Sequence, residues 1–118
     1  MDADSRQRLM EEGRQAFNRG EFFEAHEFWE EVWNEIDDPD RTWVQGLIQI
    51  ATGLHKLASG RPDVCLTLLQ KALAKLTEVP LVLDGFATRA LRDDAARLYH
   101  AVARREAVVA TTIKLARG

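Results

Sequence analysis

Five positions of this chain recur at a shift of 40 residues: Gly13, Gly20, Ala25, Trp29 and Trp33 are matched by Gly53, Gly60, Cys65, Leu69 and Leu73. The recurrence constrains the fold because each residue type has a place in a helical hairpin. One glycine lies inside the first helix of each copy. A second ends that helix, at the left-handed position that follows many helix C-termini. Ala25 or Cys65 then supplies a small residue where the two helices of a hairpin must approach closely. Apolar spacing elsewhere is helical, and no convincing period-two strand precedes the tail. The pattern predicts a first helix from about Ser5 to Arg19 and a second from about Phe22 to Ile36. The third runs to Ser59, with Asp38 as N-cap and Pro39 in its first turn. Pro62 opens the fourth, and a Pro80–Gly85 loop precedes a fifth through Ala87, Leu91, Ala95, Leu98 and Val102.

The spacing of Gly13, Gly20, Phe22, Ala25 and Trp29 resembles a tetratricopeptide repeat, although that repeat runs at about 34 residues and here no third copy follows. Two units cannot bury their faces alone. The expected architecture is therefore all-α, a compact bundle of about five helices in which two tetratricopeptide-like hairpins are closed by a last helix. All of it forms a single domain over residues 1–118. After Arg104 the β-branched residues Val108, Val109, Thr111, Thr112 and Ile113 disfavour helix. The last helix is expected to end between Arg104 and Ala110, with an uncharged tail lying back along the bundle or on a partner.

Charge is unevenly distributed. Residues 1–40 hold 13 acids and 4 bases, and residues 85–118 hold 7 bases and 3 acids. The basic end is expected to pack beside the acidic first hairpin. A net charge of −3 argues against a nucleic-acid partner, whose affinity comes from neutralising phosphates. No apolar run approaches the ~20 residues that span a bilayer, and the acidic start Met1-Asp2-Ala3-Asp4 is not a signal peptide. With a single cysteine, Cys65, a cytoplasmic location is expected.

The candidate site is in the second helix. Phe22, Ala25, Trp29, Val32, Trp33 and Ile36 share one face, and Glu24, Glu27, Glu31 and Glu35 lie opposite. His26 and Glu30 fall inside the aromatic stripe, one turn apart, between Trp33 on one side and Phe23 on the other, where a purely structural helix would carry carbon. The third helix is the natural partner, since Thr42 to His55 is 14 residues without a charge and reads as enclosed on most sides. Gln45, Gln49 and Thr52 line its polar side, and His55 stands at the edge of its apolar arc.

The run from Phe22 to Trp33, followed by Gln45-Gly46-Leu47-Ile48-Gln49 and His55, resembles the prokaryotic family named "domain of unknown function 309", through the pattern His26-x3-Glu30-x2-Trp33. The likeness extends from about Met10 to Tyr99. It implies a small all-helical domain and supplies no activity.

Four uses of the cluster stay open on its chemistry. His26, Glu30, Trp33, Gln45, Gln49 and His55 could border a pocket for a small polar ligand. They could instead form a buried hydrogen-bond network that fixes how the helices cross, inside a protein-interaction module. A divalent metal would need His55 and Gln49 to complete the His26–Glu30 pair, and no cofactor is specified. Acid–base catalysis by His26 oriented by Glu30 lacks a nucleophile, since Ser5 and Ser59 sit at helix ends and Cys65 lies on an apolar stripe. The ligand, the partner and the oligomeric state are not written in the sequence. Burial of both side chains against helix three, with Gln45, Gln49 or His55 as hydrogen-bond partners, is expected under the pocket and the network alike.

Overall fold

The helix ends carry the architecture. In the computed structural model, which describes residues 1–118, α1 spans Ala3–Asn18 and α2 Phe22–Trp33. Helix α3 spans Asp40–Ala58, α4 Pro62–Lys75 and α5 Thr88–Ala103. Gly20 and Gly60 take φ of +79° and +77°. In the first hairpin Glu21 N–H reaches Ala16 O and Gly20 N–H reaches Phe17 O. In the second, Arg61 N–H reaches Lys56 O and Gly60 N–H reaches Leu57 O. Both are Schellman closures, which return the chain after one left-handed residue. Helix α5 ends the same way through Arg105, with Glu106 N–H on Ala101 O and Arg105 N–H on Val102 O. There the left-handed residue, at φ 60°, is not a glycine.

The helices stack in chain order, each against the next, with α3 between α2 and α4. This is the all-α bundle that the sequence implies, and α3 is enclosed as its lack of charge requires. Val44, Leu47, Ile50, Ala51 and Leu54 are fully buried. Three details differ from expectation. Helix α2 stops at Trp33, three residues short of Ile36. Helix α3 begins at Asp40, with Pro39 rather than Asp38 at its N-cap; Asp38, one residue earlier, accepts the N–H and hydroxyl of Thr42 through Oδ1 at 3.0 and 2.6 Å. Helix α1 starts at Ala3 because Asp2 accepts the N–H of Ser5.

Between α4 and α5, Leu83 and Phe86 exchange backbone hydrogen bonds of 3.0 and 2.9 Å across Asp84 and Gly85, both at positive φ. An Asp-Gly pair at such a two-residue turn is the type I′ hairpin preference. Arg6 clamps it from α1, reaching both Asp84 oxygens at 2.9 Å and Asp40 at 2.7 Å.

Helix α5 ends at Ala103, one residue before the expected window, and the tail turns back in extended form through a single 3₁₀ turn at Ala110–Thr112. Leu115 is fully buried, and its backbone N–H and C=O pair with the side-chain amide of Asn18 at 2.7 and 2.9 Å. Arg117 reaches Glu11 at 2.7 Å, and Arg14 also holds Glu11. The basic end therefore meets the acidic hairpin only through its tail. The arginines of α5 act otherwise: Arg89 and Arg92 donate to the carbonyls of Val79, Leu76 and Thr77, and Arg97 pairs with Asp94 on its own helix.

Arg105→Gly is expected to stabilise the domain by about 0.5–1 kcal/mol, because a side chain at a left-handed position is strained while glycine is not. Urea melts measure it, and a loss of stability would show that Arg105 makes a compensating contact. A second expectation concerns acid. Hydrogen bonds from Arg14 and then Arg117 lower the Glu11 carboxyl to about 2 from an ordinary 4.5. A carboxyl depressed on folding stabilises fully above its unfolded value and loses that contribution as pH falls from 4.5 toward 2. Glu11→Gln should be less stable than the parent near neutrality by about 1 kcal/mol after allowance for solvent screening. That gap should close across the acid window, and a gap independent of pH would contradict the assignment.

Candidate functional site

Helix α2 has one face committed to the core, with Phe22, Ala25, Trp29 and Val32 buried. Trp29 sets its rotation. The indole Nε1 donates to Met10 O at 3.1 Å, and the ring lies on Gly13, where an added Cβ would come within 2.2 Å of it. This leaves His26, Glu30 and Trp33 along the edge between core and solvent.

His26 and Glu30 pair one turn apart, Nε2 to Oε2 at 2.9 Å, with side chains 24% and 51% exposed. The other ring nitrogen, Nδ1, stands 3.1 Å from Phe23 O. Both ring nitrogens thus face oxygens of α2 itself. The expectation of a mostly buried pair bonded to helix three is corrected here. All polar partners of His26 and Glu30 lie on α2 itself, and neither Gln45, Gln49 nor His55 bonds to them. The physical reason is that a carboxylate one turn away satisfies the imidazole locally, with no need to cross the helix interface.

Helix α3 meets this edge through rings and small recesses. The Phe23 ring stands 5.3 Å from that of His26 and 5.8 Å from that of His55, tilted against both. Phe23, His26, Thr52, His55 and Lys56 enclose a recess of about 120 Å³. On the outer side of His26, a more open basin of about 310 Å³ is lined by Glu27, Glu30, Glu31 and Asn34. His26 therefore belongs to both. Of the residues singled out from sequence, the structure brings His26, Glu30 and His55 to this face. Trp33 lies further along α2, its ring covered by the Arg41 guanidinium at 3.9 Å, while its indole nitrogen is buried without a partner. Gln45 and Gln49 are half-buried, and Gln49 Oε1 has no partner either. No group of three or more His, Cys, Asp or Glu side chains converges as metal ligands would, so the His26–Glu30 pair gains no third such ligand from His55.

Sequence reasoning missed Phe23 and Lys56. Phe23 is 49% exposed and bridges the two imidazoles. Its signal was available, as an aromatic residue off the core stripe beside the histidine.

These features define a small all-helical domain that presents an accessible imidazole–carboxylate pair on one hairpin. The chain belongs to the family described as Domain of unknown function (DUF309), whose model matches residues 10–68, from α1 into α4. It is also 33% identical over 73 residues to an uncharacterised protein of Aquifex aeolicus (strain VF5). That similarity covers 61% of this chain and 22% of the relative, so the chain spans well under two thirds of that protein's length. No helix is long and apolar enough to cross a membrane.

Cys65 lies in the core, where burial raises its thiol to about 11. Native protein should resist alkylation by iodoacetamide near neutral pH and react only once unfolded in urea. Rapid labelling of the folded protein would contradict a structural role.

Proposed function

We propose that the domain is a binding module that seats a small polar ligand on the α2–α3 face at His26 and Glu30. The observation that carries this reading is the position of His26, which borders two adjacent recesses of different character. A half-shielded imidazole–carboxylate pair contributes on the order of 0–1 kcal/mol to folding, and this one makes no bond across the helix interface, so it supplies little as scaffold. Held on a helix whose rotation Trp29 fixes, the pair is suited to orient a ligand. Catalysis has less support, since the buried Cys65 thiol is raised to about 11 and neither serine hydroxyl is hydrogen-bonded to His26.

One observation favours a second reading. Phe23 is half exposed beside two imidazoles, and a protein partner could cover it, as in a tetratricopeptide-like interaction module. That reading was coupled to a structural network through Gln45, Gln49 and His55, and no hydrogen bond joins those residues to His26 or Glu30.

Urea melts separate site from scaffold. His26→Ala and Glu30→Ala should each change stability by less than about 1 kcal/mol, with weak coupling in the double variant. Losses well above that in both single variants would mark the pair as structural and turn the reading toward the interaction module.

A further inference from the structure

We propose that the recess between Phe23 and α3 receives a carboxylate. This rests on the reading above and names the ligand's chemistry. Of the groups around the recess, His26 has both ring nitrogens occupied, by Phe23 O and by Glu30. The Thr52 hydroxyl gives its proton to Ile48 O at 2.9 Å. Two groups are left, the His55 ring and the Lys56 ammonium, and neither has a hydrogen-bond or ion-pair partner within the chain. An ammonium offers three protons and no lone pair. A group that brings only lone pairs and negative charge completes this set, and one that brings donors does not.

Size and surroundings narrow the class. About 120 Å³ holds a group of roughly four waters' volume, well below the ~300 Å³ at which pockets for drug-sized ligands begin. The Phe23 ring stands beside both imidazoles and lines one side of the recess with carbon. The C-terminal end of α3 lies close by and opposes an anion, but its His55 and Lys56 carbonyls are already satisfied by Ser59 and Arg61. Glu27, Glu30 and Glu31, in the basin across His26, penalise a doubly charged anion more than a singly charged one. A carboxylate therefore fits better than a phosphate. It can come from a small free acid or from the end or side chain of a polypeptide.

Side-chain NMR of the full chain tests this with acetate, its neutral isostere acetamide, and inorganic phosphate, all at constant ionic strength. Acetate should give saturating shifts at His55, Lys56 and Phe23, and acetamide none. Lys56→Gln should weaken acetate about fivefold, as loss of one solvent-accessible ionic contact would, while Lys71→Gln on α4 leaves it unchanged. Short peptides with free or amidated C-termini distinguish the sources. Tighter binding of the free terminus than of acetate assigns a polypeptide, and equal binding assigns a small acid. Shifts linear in acetate, or phosphate displacing acetate, would overturn the proposal. Acetamide saturating at His55, Lys56 and Phe23 as acetate does would also overturn it, while leaving the broader polar-ligand reading in place.

Discussion

The contact between Trp29 and Gly13 is the one on which the site depends. An indole can lie flat against a helix only where that helix has no side chain, and a methyl group at Gly13 would stand 2.2 Å from Trp29 Nε1. The ring then reaches Met10 O and packs on Phe17 at 5.7 Å between centroids, so one residue ties α2 to α1 in both distance and rotation. With Trp29 turned into the core, Ala25 and Val32 follow it, and His26, Glu30 and Trp33 are left at the edge between core and solvent.

The second hairpin repeats the pattern without repeating the device. At Gly53 an added Cβ would meet only ordinary contacts, 3.4 Å from Leu68 Cβ, so closeness there is permitted but not demanded. The demanding glycine on α3 is Gly46, where a Cβ would stand 2.6 Å from Leu76 Cγ. The tight points of the two hairpins thus fall at different heights. That suits a helix that must pack on both sides, with α2 against one face and α4 against the other.

The fold was largely legible because its punctuation is carried by residues with few alternatives. Gly20 and Gly60 stand at positive φ, and sequence spacing alone places them there. Arg105 performs the same task with a residue type that does not advertise it, so the last closure is invisible to pattern reading. The Asp84–Gly85 turn is written in the sequence, yet its flanking pairs are too short for any period-two run to show. The site was half legible for a different reason. A helical projection gives the face on which a residue lies but not the register between two helices. It therefore puts His26 and His55 on neighbouring helix edges, and says nothing of the Phe23 ring standing between the imidazoles. It also cannot tell whether a polar side chain finds its partner on its own helix, as His26 does.

Polar groups are distributed unequally between the two sides of the molecule, and that inequality separates scaffold from site. Around α1 and the tail nearly every charge is matched: Arg6 with Asp40 and Asp84, Glu11 with Arg14 and Arg117, and the Asn18 amide with the backbone of Leu115. Along α2 and α3 the accounts are open. Trp33 Nε1 and Gln49 Oε1 are buried without partners, and each such group costs about 1–3 kcal/mol relative to a satisfied one. A hairpin built only for stability would carry carbon at those positions, as the matching residue of the second copy, Leu73, does for Trp33. The paired charges hold the frame on which α2 and α3 are mounted. The two unpaired buried groups lie on the facing helices α2 and α3, outside both recesses that His26 borders.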